Sequence, residues 1–241
     1  MALLQFKGRY AGSKLGIWWA IIIPLILAAA IGFIFTEVMN TDVPFFTVFA
    51  LAGIIPWFFF ANGITDATAS FGEKSAILKQ GIFPREIIPL SSVLCDFTSF
   101  LIGFLCLLPV FLVFKFGILR QTAYAVFLIM AQLFFVAGSG MIFSTINVFI
   151  KDSRHFLSGI LMIWFWVTPV FYSTEMIPPA YRWICLINPV SCYVEAYRKI
   201  LYYACPLSLY EIAGITLISA AAFLAGYAVY LRNESELLKR I

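Results

Sequence analysis

The sequence predicts an all-α polytopic membrane protein of six transmembrane helices, with both termini cytoplasmic. Three observations lead there. Of the 241 residues, 63% are hydrophobic and 12% charged, with a mean hydropathy of +0.98, whereas a soluble domain carries about 25% charge. Six apolar stretches each reach or approach the roughly 20 residues a helix needs to cross a bilayer. Finally, placing the N-terminus inside puts eleven of the sixteen Lys and Arg residues on cytoplasmic segments, as the retention of positive loops requires. The net charge of +4 is then a consequence of topology, and no nucleic-acid partner is expected.

The expected spans are 15–36, 43–72, 87–114, 121–150, 156–174 and 211–231 of one transmembrane domain, 1–241. The first follows Lys7, Arg9 and Lys14 and resembles a secretory signal up to Ala28-Ala29-Ala30. Its apolar run continues through Ile31, Phe33, Ile34 and Phe35, longer than the 7–15 residues of a signal core, so an uncleaved anchor is expected. The second and third spans carry Asp66 and Asp96. Each is costly in lipid and must face protein or water, as hydrogen-bonded packing or as a proton relay.

Between them, 73–86 forms the longest cytoplasmic connection. Ile77, Leu78 and Ile82 would place one apolar edge beside Lys74 and Lys79, with Gly81 as a stop. Pro84 suits the first turn of the next helix, and Glu86 complements its dipole. The segment reads either as an amphipathic loop on the lipid surface or as a docking element for a soluble partner.

After the fifth span, 175–210 holds two apolar pieces, 183–194 and 200–210, each too short to cross and suited to re-entrant or interfacial helices. Pro178-Pro179, Asn188-Pro189 and Pro206 punctuate them, because proline removes a donor and disfavours helix in the residue before it. This segment is either an amphipathic cap or a lid over a pathway.

No catalytic or metal-binding constellation is evident. His155 stands alone beside Lys151, Asp152 and Arg154. Gly72-Glu73-Lys74-Ser75 lacks the Gly-Lys pair and upstream glycine of a phosphate loop, so this chain is not expected to bind ATP itself. Five cysteines, three of them (Cys185, Cys192, Cys205) in the outer segment, allow a disulfide without specifying one. Aromatic residues make up 18% of the chain, clustered at 18–19, 57–60, 164–166 and 171–172. Such rings form interfacial belts and lipid-facing bulk, or line a pore whose flat walls stack on sugar rings.

Several motifs together resemble one family, the membrane subunit of ABC-2-type exporters of bacterial cell-surface polysaccharides (O-antigen, capsule and teichoic-acid permeases). They are Arg9-Tyr10, Ser13, Leu15-Gly16, Trp18 and Pro24; Pro56-Trp57-Phe58-Phe59-Phe60; Phe83-Pro84-Arg85 with Pro89; Asn147-Val148-Phe149 with Asp152; Thr168-Pro169-Val170 with Tyr172; and Pro178, Asn188-Pro189, Glu195 and Arg198. The sequence departs from that pattern at Lys151, where Arg is usual, and in the eight residues before Arg9, a shorter leader than usual.

The resemblance implies a permease half of an ATP-driven exporter in the bacterial cytoplasmic (inner) membrane. Two copies would enclose a channel for a lipid-linked polysaccharide, and two ABC ATPase subunits would hold the ATP and Mg. The segment 73–86 becomes a coupling helix, with Lys74, Ile77, Leu78, Ile82, Phe83, Pro84, Arg85 and Glu86 meeting the ATPase. The pieces in 175–210 become periplasmic gate helices. Trp18, Trp57, Phe60, Trp164, Trp166 and Tyr172 become channel-lining candidates. Arg9, Asp152, Pro169, Asn188, Pro189, Glu195 and Arg198 become gate and motif positions. Other readings are an exporter of a drug or small lipid with the same fold, a proton-driven transporter, and a membrane-embedded enzyme of envelope synthesis.

Overall fold

In the computed structural model, which describes residues 14–41, 43–74, 84–113 and 121–240, the described residues are helical or irregular, with no strand among them. The helices are α1 (Trp19–Phe33), α2 (Phe46–Glu73), α3 (Ile87–Val113), α4 (Thr122–Phe149), α5 (Ser153–Val167), α6 (Trp183–Ile187), α7 (Pro189–Leu201) and α8 (Leu209–Arg240). Five stretches are long and apolar enough to cross a membrane: Ile21–Val38, Phe46–Glu73, Ile87–Phe111, Thr122–Phe149 and Leu209–Leu237. They match the first four and the last of the expected spans.

The expected fifth span, 156–174, is organised differently. α5 has 15 residues, about 22 Å of helix at 1.5 Å per residue, which is short of a hydrocarbon core of about 30 Å. Helix stops at Val167, and 168–173 continue without regular structure. Pro169 explains the stop: the residue before it, Thr168, is extended (φ −83°, ψ 134°), as a following proline ring demands. Residues 175–210 break at the expected Asn188-Pro189 and around Pro206, but not between the expected pieces 183–194 and 200–210. Helix runs unbroken through Glu195, Arg198 and Lys199 in α7, the break falls at Asn188, and 204–208 are non-helical.

α2 is the central helix, packed against α1, α3, α4, α5 and α7 and buried along most of its length. Pro56 lies inside it without breaking the helix, and the buried Gln132 side chain of α4 donates to the Pro56 carbonyl at 2.8 Å. Phe60 stacks on Phe135 of α4 (centroids 5.6 Å apart), and Phe59 on Phe100 of α3 (4.9 Å). At one end of the bundle, Phe71 of α2, Ile88 of α3, and Tyr230 and Leu237 of α8 form a separate apolar cluster with Val148 and Phe149 of α4. At the other end, the Tyr202 hydroxyl donates to the Pro44 carbonyl at 2.6 Å, and Gln121 donates to the Ala204 carbonyl at 3.2 Å.

α8 leaves much of its surface exposed and leans mainly on α4. Their crossing is backbone to backbone. A Cβ on Gly226 would collide with the Gly138 main chain, and one on Gly138 with the main chain of Ala222 and Phe223. Small residues permit this approach where dispersion and close packing hold helices together in lipid. Leucine at position 226 must push the two backbones apart, at a cost of about 1–3 kcal/mol for overpacking. We expect Gly226→Leu to lower the unfolding midpoint of the detergent-solubilised protein, followed by tryptophan fluorescence. Gly214→Ala should not lower it, because nothing lies within 4 Å of a Cβ there and alanine favours helix over glycine.

Candidate functional site

The break after α5 exposes main-chain groups that a membrane protein must satisfy internally, since each orphan costs several kcal/mol in hydrocarbon. Arg198 of α7 satisfies them. Its Nη2 donates to the carbonyls of Pro169 (2.7 Å) and Val170 (3.0 Å), and its Nη1 to that of Tyr172 (3.2 Å) and to Glu195 Oε1 (3.0 Å). The guanidinium lies 3.9 Å from the centroid of the Phe49 ring, a cation–π contact, and the residue is 0% exposed. Burial lowers the Arg198 pKa, and the adjoining Glu195 carboxylate opposes that shift. Guanidinium stays charged at any physiological pH, so this is a fixed cation reading three carbonyls through a planar fork.

Room for that fork comes from Gly53 of α2. A Cβ there would stand 2.7 Å from the Val170 carbonyl oxygen and 3.3 Å from Arg198 Nη2. Glu195 closes the arrangement by accepting from Thr174 Oγ1 at 2.8 Å.

Asn188 makes a second junction. Its Oδ1 accepts from Val190 N at 3.0 Å, capping α7 with Pro189 in the first turn, and from Trp164 Nε1 at 2.9 Å. Its Nδ2 donates to Thr168 Oγ1 at 2.9 Å. One amide side chain thus joins the end of α5 to the α6–α7 break, so Thr168, Pro169, Asn188, Pro189, Glu195 and Arg198 form a single unit.

The aromatic candidates separate into two groups. Trp57 and Phe60 are 3% and 1% exposed, inside the core of this one chain. Trp164 meets Phe60 edge-on at 5.2 Å besides its bond to Asn188. Trp18 and Trp166, by contrast, are 59% and 63% exposed. Tyr172 is half-buried, its hydroxyl donating to the Trp166 carbonyl at 2.8 Å.

At the opposite end, Ile77, Leu78, Ile82 and Phe83 lie outside the described residues, as does Arg9. Lys74 Nζ donates to Ser92 Oγ of α3 at 2.9 Å. Pro84 is exposed, and Arg85 and Glu86 are half-buried, at the entry to α3. Arg154 pairs with Glu73 at 3.5 Å, both well exposed, so the pair contributes little to stability. Asn147 donates to the Thr68 carbonyl at 2.9 Å and accepts from Ser153 Oγ at 3.0 Å, pinning the α4–α5 turn to α2, while Asp152 is exposed in that turn.

Asp96 is buried and lines a cavity of about 290 Å³ between α1, α2 and α3, with Trp19, Phe58, Asn62 and Ser99. Among the described residues no group of His, Cys, Asp and Glu side chains is arranged to hold a metal. The five cysteines carry no disulfide, and Cys106 and Cys205 are exposed.

Sequence reasoning had singled out Arg198, Asn188 and Pro169 as motif positions without their common target. It missed Gly53, Phe49 and Tyr230. Gly53 sits in an apolar run with nothing beside it in sequence to mark the loop backbone it faces.

A profile of the ABC-2 type transporter family matches residues 2–202. The O-antigen export system permease protein RfbA of Klebsiella pneumoniae is 36% identical over 201 residues, spanning 81% of this chain and 76% of that protein. A protein of the same description from Myxococcus xanthus is 28% identical over 204 residues, covering 82% and 77%. The polysialic acid transport protein KpsM of Escherichia coli is 24% identical over 249 residues, covering 98% and 93%.

Each buried carbonyl deprived of its donor costs about 1–3 kcal/mol, and Arg198 serves three. Arg198→Met is expected to lower the thermal midpoint sharply and to open 168–174 to added protease. Arg198→Lys should not rescue it, because a compact ammonium cannot replace the fork. Gly53→Ala should give a smaller loss of the same kind. Wild-type melting of Arg198→Met would refute the assignment.

Proposed function

We propose a role for this chain from its family and its geometry: it belongs to the ABC-2 type transporter family and is the permease component of an exporter of O-antigen-like polysaccharide. What carries the substrate class is the 36% identity, across most of both chains, to an O-antigen export permease, with the more distant polysialic acid transport protein in the same direction. Six of the residues that match that family's pattern, Thr168, Pro169, Asn188, Pro189, Glu195 and Arg198, assemble the unit around the buried guanidinium.

Two copies would together wall a channel in the bacterial inner membrane, each chain packing a core of its own. The termini would be cytoplasmic, with α5 and the irregular 168–173 making the sixth crossing. That orientation puts the Arg198 unit near the outer face, as a gate whose unwound backbone lines a passage, the setting in which such backbone is tolerated. ATP and Mg would be bound by two separate ATPase subunits. Residues 73–86 would take up their motion, with Arg85 and Glu86 rooted at the start of α3.

Of the six aromatic candidates, Trp18, Trp166 and Tyr172 are available to a passage, whereas Trp57, Phe60 and Trp164 serve the core. Sugar rings present apolar C–H faces, and exposed indoles can hold these without the tight hydrogen bonds that would trap a moving polymer. Trp166→Ala is therefore expected to reduce surface glycan several-fold at normal protein abundance, measured by lectin labelling against immunoblot. Trp164→Ala should lower abundance and melting temperature instead, through lost packing on Phe60 and the lost bond to Asn188. Equal loss of abundance in both would remove Trp166 from the lining.

The coupling assignment has its own test. Arg85→Glu should leave the protein inserted while cutting surface glycan and weakening co-purification of the ATPase encoded beside it. Normal values of both would sink the assignment.

A further inference from the structure

Tyr230 has a role that neither packing nor the proposed channel accounts for. It lies at the very end of the expected last span, 211–231, and it is 1% exposed. Its ring belongs to the cluster with Phe71, Ile88 and Leu237. These residues come from the helix that enters residues 73–86, the helix that leaves them, and the end of the chain. The hydroxyl faces two carboxylates, Glu86 Oε2 at 3.3 Å on the far side of that connection and Glu234 Oε1 at 3.5 Å one turn along α8.

A phenol has one proton to donate, and an ionised carboxylate accepts only. Both distances exceed the 2.5–3.0 Å of a settled O–H···O bond. One proton therefore stands between two alternative acceptors, one across helices and one within its own helix. Arg240 strengthens the same corner, its guanidinium 5.0 Å from the Phe149 ring, so α8 is held on both sides of Tyr230.

We propose that Tyr230 is a positioning residue for energy coupling: its hydroxyl tethers α8 to Glu86 in one state and turns to Glu234 when residues 73–86 are displaced. Given to Glu86, the proton makes the root of α3 and the last helix move together. Given to Glu234, it lets α3 move alone without leaving a buried hydroxyl unpaired, which carries the full desolvation penalty of that group. The device thus lowers the penalty of the displaced state. It rests on reading 73–86 as the face that meets the ATPase.

The test uses the complete permease–ATPase complex. Tyr230→Phe keeps the ring in its apolar cluster and removes only the donor. In cells we expect normal abundance and normal ATPase co-purification, with surface glycan reduced at least threefold. In proteoliposomes of host lipid extract the complex should still hydrolyse ATP, so that export per ATP falls. Glu86→Leu should reproduce the loss, and the double variant should be no worse than either single one. Wild-type export from Tyr230→Phe, a loss that follows protein abundance, or additive losses in the double variant would each overturn the tether. If Tyr230→Phe is silent while Arg85→Glu still abolishes export, the tether is refuted and the coupling assignment stands. Full export from Arg85→Glu refutes both.

Discussion

A single buried guanidinium makes the non-helical backbone after α5 possible. Proline at 169 forces the chain out of helix, and the carbonyls at 169, 170 and 172 are left without helical partners. Arg198 receives them from a neighbouring helix, with Phe49 beneath the fork and Glu195 balancing its charge. A desolvated ion pair alone is poor evidence for stability. Here most of the guanidinium's bonds go to backbone, so the cation specifies a chain path more than it glues two side chains. That path could not exist with an apolar residue at 198, whatever volume it filled.

From this follows the order of the surrounding packing. Gly53 must be small because the loop lies directly on α2, and Asn188 must be an amide because it accepts from an indole and a main-chain N–H while donating to Thr168. The aromatic layer of Phe60, Phe135, Trp164 and Tyr193 fills the space inward of this unit. Tyr193 then anchors to Ser219 of α8 through a hydroxyl contact of 2.6 Å. The six aromatic candidates are thus divided by burial between a supporting core and an exposed fringe.

Much of this was legible in the sequence, and the limits are physical. Unbroken apolar stretches bounded by charge gave four full spans and the last one, because length and hydropathy are local properties. The fifth was harder. Uncharged residues continue to Thr174, yet helix stops at Val167, since Pro169 acts on backbone conformation and leaves hydropathy untouched. Charges at Glu195, Arg198 and Lys199 suggested a break between two short pieces, but two of them are paired at 3.0 Å and the third reaches Glu211 at 2.8 Å, so helix runs through. Which aromatics are buried, and why Gly53 is glycine, depend on contacts across more than a hundred residues of sequence, which composition and periodicity do not carry.

The two functional ends share α2. Phe49 and Gly53 near its start hold the Arg198 unit, and Phe71 and Glu73 at its end sit in the corner with Tyr230, Ile88 and Arg154. The helix between them is buried almost throughout and runs unbroken past its internal proline, with Gln132 of α4 donating to the Pro56 carbonyl. A packed helix of this kind transmits displacement chiefly as a rigid body, because close-packed surroundings admit few intermediate positions. Tilting its Phe71 end would therefore move Gly53 relative to the Val170 carbonyl, which leaves no room even for a Cβ. The outer backbone would have to follow with the guanidinium that holds it, or surrender its hydrogen bonds. On the proposed coupling, closeness at Gly53 would link displacement at one end of the bundle to the path of the chain at the other.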